Sequence, residues 1–149
     1  MHNLFEPAAA GEILERIERL QPASARQWGR MTPAQMMCHC SAALEVASGR
    51  RQAKRTLIGR LIGPRMRHLL TSEKPFPKDS PTAKEFKVMD ECDFAREKQR
   101  LADCIRHFHA AGENGCTRAP HPFFGPITPL EWSTGMYKHM DHHLRQFGV

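Results

Sequence analysis

The sequence lacks the features that mark membrane-spanning and secreted proteins. Its 149 residues contain no uninterrupted apolar run near the ~20 residues that a transmembrane helix needs. The first seven residues lack the charged and then apolar layout of a signal peptide. The five cysteines form no CxxC pair, so neither a disulfide framework nor a zinc ribbon is indicated. We therefore expect a cytoplasmic protein with reduced thiols and no membrane span.

Acidic residues are absent from one stretch of the chain. Between Val46 and Ser72 there are seven basic residues and no Asp or Glu, which leaves 15 of the 22 basic residues to balance 16 acidic ones elsewhere. The excess charge therefore belongs to residues 50–67. This segment is either a solvated connection or an anion-binding module for nucleic acid or a membrane surface. Because it has no interleaved aromatic residues, nucleic acid is the weaker alternative.

No segment alternates as a β-strand does, and apolar residues recur instead at helical spacing. We predict helices over residues 8–20, 33–48, 90–111 and 129–147, one or two short helices within 56–70, and a proline-rich loop over 72–81. The length suits a single domain, residues 1–149. The predicted fold is an all-α four-helix bundle with a long connection between its second and third helices.

Two of the helix starts carry the same signal. Thr32 and Thr128 each precede a proline and stand three residues before Gln35 and Glu131. This pattern is typical of a capping box with proline at the first helical position. Both helices that bear the candidate site residues are therefore well marked.

Three histidines form a candidate metal site. His139 and His143 are four residues apart, so they share one helix face and can address one ion. His39 lies on the inward stripe of the second predicted helix. Three imidazoles keep a coordination position free, as catalytic zinc sites do. The alternative is a hydrogen-bonded pair, His139 and His143, with His39 unrelated.

Four further residues are candidates for lining a pocket beside these histidines. They lie within two helical turns of His39 or His139: Met36, Cys40, Trp132 and Met136. We expect the loop over residues 120–126 at or near the pocket mouth. A small buried hydrophobe is the alternative for Cys40. No Ser or Cys has the local signature of a nucleophile, so the catalytic residues are unknown.

Longer motifs resemble a known family. They occupy residues 31–40, 74–77, 121–125, 128–132 and 137–148. In these segments the chain resembles the bacterial DUF1569 proteins of the DinB-like superfamily, and the resemblance extends over most of the chain from Trp28 onward. It implies an up-down-down-up four-helix bundle. It also implies a divalent metal held by His39, His139 and His143.

The resemblance leaves the activity open. Characterised members of the superfamily include metal-dependent thiol transferases and hydrolase-like proteins, which implies a small-molecule substrate or a low-molecular-weight thiol as partner. Three imidazoles favour zinc or nickel, with iron as a further alternative. A non-enzymatic bundle with a structural metal or histidine cluster is the competing hypothesis. The oligomeric state, a homodimer among the alternatives, is not determined.

Overall fold

A computed structural model describes residues 2–78 and 86–149, and these residues form six α-helices and no β-strand. The helices are α1 (Pro7–Arg19), α2 (Pro33–Ala47), α3 (Leu57–Met66), α4 (His68–Thr71), α5 (Phe94–Ala111) and α6 (Pro129–Gln146). A 3-10 turn, Gly112–Gly115, follows α5. The prediction of an all-α protein is confirmed. The last part of the predicted loop over 72–81 lies outside the described residues.

The four longer helices surround one apolar core. α2 packs most extensively against α5, and α1 and α2 each contact both α5 and α6. The largest fully buried side chains come from all four helices and include Ile13, Ile17, Met37, Leu44, Leu101, Phe108, Met140 and Leu144. Because these residues recur at helical spacing, each helix presents one apolar face to its neighbours.

Both predicted capping boxes are confirmed. In α2 the Thr32 Oγ1 atom accepts from the Gln35 backbone N–H at 3.2 Å, and the Gln35 side chain accepts from the Thr32 N–H at 3.0 Å. In α6 Thr128 and Glu131 exchange the same two bonds at 3.2 and 2.7 Å. These bonds satisfy amides that a helix start otherwise leaves unpaired. They determine where both histidine-bearing helices begin.

The third predicted helix starts later than its sequence pattern indicates. α5 begins at Phe94 and not near Asp90, because Asp93 is its N-cap and accepts from the Arg96 backbone N–H at 2.7 Å. The Asp90 carbonyl instead accepts from the Gln35 side chain at 3.2 Å. A tertiary contact therefore holds the residues that were expected in the first turn. The long connection from α2 to α5 contains α3 and α4, as predicted.

Candidate metal centre

Three imidazoles from α2 and α6 converge inside the protein. His39 Nε2 lies 2.9 Å from His139 Nε2, which lies 3.1 Å from His143 Nε2. The ligand atoms of all three residues lie within 4.8 Å of one another. The ring centroids are 4.8 to 5.0 Å apart in every pair. The predicted convergence of His39 with the helical pair is therefore present.

A backbone carbonyl outside the cluster orients His39. Its Nδ1 atom lies 2.9 Å from the Phe86 carbonyl oxygen. Since a carbonyl oxygen can only accept, Nδ1 carries the proton and donates. The Nε2 atom of neutral His39 then presents a lone pair to the other two rings. A carbonyl partner of this kind is what a metal-binding histidine commonly has.

A two-step hydrogen-bond chain orients His143. The Gln146 Nε2 atom donates to the Trp28 carbonyl at 2.7 Å, which turns the Gln146 Oε1 atom toward His143. His143 Nδ1 lies 3.0 Å from that oxygen and must donate to it. The Nε2 atom of neutral His143 therefore also presents a lone pair. Gln146 lies one helical turn after His143, so both belong to α6.

The cluster contains more acceptors than donors, and this suits a cation. Neutral imidazole carries one N–H, and His39 and His143 direct theirs away from the cluster. A proton on His139 Nε2 cannot form two good hydrogen bonds at once. A divalent cation would accept all three lone pairs. Tetrahedral zinc with bonds of about 2.1 Å separates its ligands by roughly 3.4 Å, so His139 needs to part from each of the other two rings by only a few tenths of an ångström.

Burial keeps the three histidines neutral. Desolvation lowers the pKa of His39, and it lowers the pKa of His143 to about 3. The pKa of His139 falls well below its usual range because of burial and then because of the neighbouring His143 and His39. Neutral imidazole is the form that binds a metal ion. Near pH 7 the cluster is therefore ready to bind without releasing protons.

The four residues predicted to line a pocket are buried in the core. Met36, Cys40, Trp132 and Met136 are each less than one-tenth exposed. The Cys40 sulfur contacts the Met36 sulfur at 3.7 Å, and burial raises the pKa of the Cys40 thiol. Cys40 therefore behaves as a small buried hydrophobe. None of the four lines the two clefts described next, and their role as pocket lining stays a prediction.

The larger cleft lies on the neighbouring face of α6. Its volume is about 680 Å³, and Phe76, Lys138, Asp141 and His142 contribute to its wall. It borders the cluster through His142, whose ring centroid is 5.1 Å from that of His143. A smaller cleft of about 290 Å³ lies at the end of α2 and includes Pro120. The expected place of residues 120–126 at the mouth of a site pocket stays a prediction.

His121 is a neighbour of the site to which the sequence pattern assigns no role. Its Nδ1 atom accepts from the Phe123 and Phe124 backbone N–H groups at 3.0 and 3.1 Å. Its ring lies on that of Trp132, with centroids 4.7 Å apart. Burial lowers the pKa of His121 to about 4.

The Phe86 carbonyl orients His39, and the Gln146 side chain orients His143. Of these two partners, only Gln146 had a signal in the sequence, because it lies three residues after His143 and therefore on the same helix face.

Comparison with known proteins identifies a family. The model of DUF1569, described as a protein of unknown function, matches residues 5–148. No curated protein and no solved structure matches the chain. The matched span contains α1 to α6 and all three histidines of the cluster. The chain therefore belongs to the DUF1569 family.

Proposed function

We propose that this protein binds one divalent metal ion through the Nε2 atoms of His39, His139 and His143. The observation that carries the proposal is the shared orientation of the rings. Two of them direct their only N–H to fixed acceptors outside the cluster, Phe86 and Gln146. The Nε2 lone pairs of these two rings face His139 Nε2 from both sides, and with the His139 proton on Nδ1 all three lone pairs face one point, which suits a cation.

We further propose that the metal serves chemistry and not only stability. Structural zinc sites take four protein ligands, whereas catalytic sites take three and leave a position open. Among the described residues, only the three histidines group as ligands here. We place access to the open position on the side of His139, which is half-buried while His39 and His143 are buried. A structural role predicts a fourth protein ligand.

The proposed activity is thiol transfer or hydrolysis. A bound divalent cation would act as a Lewis acid that lowers the pKa of a thiol or a water molecule. The resemblance to the DinB-like superfamily supports this proposal, because a single histidine from the second long helix and an HxxxH pair from the last are that superfamily's ligand set. We also assign the up-down-down-up bundle on this basis. A single domain and a cytoplasmic location stay predictions.

Metal content tests the binding proposal directly. Protein purified without a nickel column should contain close to one equivalent of metal, measured by mass spectrometry of the dissolved sample. His39→Ala should lose it, because two remaining imidazoles hold the ion far more weakly. His107→Ala is the matched control, since His107 is exposed and lies outside the cluster. Unchanged metal content in His39→Ala with intact helicity would refute the site.

Metal identity and thiol binding separate the candidate chemistries. Apo protein should bind zinc and nickel more tightly than manganese, as imidazole ligands do. Cobalt-loaded protein titrated with biological thiols should develop sulfur-to-cobalt charge-transfer absorption if thiol transfer is the activity. If no thiol changes the cobalt spectrum, the transferase assignment fails and hydrolysis is the candidate. Preference for magnesium would instead require oxygen ligands and contradict the site.

A further inference from the structure

The short helix α3 carries its large apolar residues on the outside. Leu57 and Leu61 are 79% and 74% exposed, and Ile58 and Ile62 are 64% and 43% exposed. These positions follow one another at i, i+1, i+4 and i+5, so they form a single face over two helical turns. An exposed apolar face of this kind marks an interaction site more often than a free surface.

Glycine explains why the apolar face points outward. Gly59 and Gly63 lie on the opposite side of α3 and are buried against the loop that contains Phe123. A Cβ atom at Gly63 would lie 1.8 Å from the Phe123 carbonyl oxygen, and one at Gly59 would lie 2.7 Å from the same atom. Backbone contact therefore holds α3 to the protein without its leucines and isoleucines. Those side chains are left for another partner.

The charged residues of α3 and of the chain segments next to it all have one sign. Lys54, Arg60 and Arg65 are exposed and form no ion pair among the described residues. No acidic residue occurs between positions 46 and 72. Arg67, at the end of α3, is already paired with Glu131 of α6. The surface of α3 therefore combines an apolar face with uncompensated positive charge, which is the pattern of helices that lie on membranes.

We propose that α3 docks on an anionic lipid bilayer, with Leu57, Ile58, Leu61 and Ile62 inserted and the cations of Lys54, Arg60 and Arg65 at the headgroups. Anionic lipid complements both features at once. A second copy of the chain would bring like charges together, and four aliphatic side chains cover only roughly half of the ~800 Å² that each partner buries in a standard interface. Nucleic acid complements the charges but not the aliphatic residues.

Vesicle sedimentation tests the proposal. The protein should bind vesicles made of an equimolar mixture of phosphatidylcholine and phosphatidylserine, with weaker binding at raised salt and little binding to phosphatidylcholine alone. Leu57→Gln with Leu61→Gln should lower the partition coefficient at least ~10-fold, since the apolar contribution is lost. Arg60→Gln with Arg65→Gln should lower it by about 10-fold or more.

Matched variants control for composition. Met89→Gln changes another exposed apolar residue, and Arg26→Gln with Arg30→Gln makes the same change of charge outside α3. Both should bind vesicles as the parent protein does, and circular dichroism should show all variants folded. Equal binding by the leucine variant would overturn the proposal. The proposal would also be overturned if the protein bound no vesicles and instead formed dimers that depend on the leucines. The same holds if it bound no vesicles and instead bound DNA through its charges, with binding that survives the leucine substitutions.

Discussion

At the residue scale, the histidine cluster depends on two hydrogen bonds made outside it. The Phe86 carbonyl accepts a hydrogen bond from His39 Nδ1, and the Gln146 side chain accepts one from His143 Nδ1, each at about 3 Å. Each bond leaves Nε2 of its ring as the acceptor in the cluster. Because the choice of ring nitrogen depends on these partners, their removal should weaken metal binding without removing a ligand.

Gln146→Met should lower metal affinity by about 10- to 100-fold while a full equivalent still binds at saturation. The substitution removes the acceptor for His143 Nδ1 and the donor to the Trp28 carbonyl. Competition with a fluorescent chelator measures the change. Gln99→Met, at an exposed position on α5, is the control and should bind as the parent does. An unchanged affinity in Gln146→Met would contradict this role.

His121 should make the folded state sensitive to acid. Its pKa is lowered to about 4 when folded, mainly by burial, against an ordinary value near 6.5. Below about pH 6.5 the unfolded chain therefore binds a proton that the folded protein excludes. Stability from this residue is fully present above pH 6.5 and is lost as the pH falls toward 4. The largest slope from one such group is about 1.4 kcal/mol per pH unit.

His121→Asn tests this effect, because an amide oxygen can accept the two backbone N–H bonds without titrating. Urea unfolding of both proteins should be followed from pH 7 to about pH 4 in the presence of a chelator. All other residues are the same in both proteins, so the difference between the two reports the effect of replacing His121. We expect the parent to lose stability relative to the variant as the pH falls. A constant difference would show that His121 does not titrate in this range.

At the element scale, α3 is positioned by backbone contact. Its buried side consists of Gly59 and Gly63, and the Thr56 side chain caps its start by accepting from the Gly59 N–H at 3.0 Å. A second bond joins the Thr56 N–H to the Pro122 carbonyl at 3.0 Å. Space for side chains is therefore absent between α3 and the loop over residues 120–126. Any Cβ atom there must displace one of the two segments.

Gly63→Ala should destabilise the protein by about 1–3 kcal/mol, because overpacking forces α3 and the Phe123 segment apart. Chemical denaturation measures the loss, and hydrogen exchange should show it first in α3. Gly11→Ala is the control within a helix, since nothing lies within 4 Å of its Cβ position. It should stabilise α1 by roughly 0.5–1 kcal/mol. Equal effects of the two substitutions would contradict the close contact.

At the scale of the whole molecule, a nearly buried arginine joins the two ends of the chain. Arg16 of α1 donates to the Asp141 side chain of α6 at 2.9 Å and to the Val149 carbonyl at 3.0 Å. Glu12 accepts a further bond from it at 3.1 Å. The Arg16 side chain is only 9% exposed. Because a buried guanidinium without partners is costly, this network should matter more than the exposed ion pairs.

Asp141→Ala should lower the free energy of unfolding by about 1–3 kcal/mol. The loss is smaller than that for a buried charge with no partner, because Glu12 still accepts a hydrogen bond from Arg16. Asp103→Ala removes an exposed pair with Arg106 and should cost no more than about 0.5 kcal/mol. Urea titration of both variants measures the difference. Raised salt should weaken the Asp103 effect more than the Asp141 effect. Equal losses would show that burial of Arg16 contributes nothing.

The sequence by itself determined the features that depend on neighbouring residues. Thr32 and Thr128 predicted the starts of α2 and α6, because capping requires only residues three positions apart. The spacing of His139 and His143 likewise placed both rings on one face of α6. The start of α5 has a weaker local signal, the N-cap Asp93 without a Glu or Gln three residues later, and the distant Gln35 side chain binds the Asp90 carbonyl before the helix.

The tertiary structure decided what depends on distant parts of the chain. His39 joins the cluster from 100 residues away, and its orientation comes from the Phe86 carbonyl. A carbonyl is present at every residue, so no pattern of side chains could predict which one accepts. The outward face of α3 was decided in the same way. Helical periodicity reveals an apolar face, but only packing of Gly59 and Gly63 on a backbone determines which way it points.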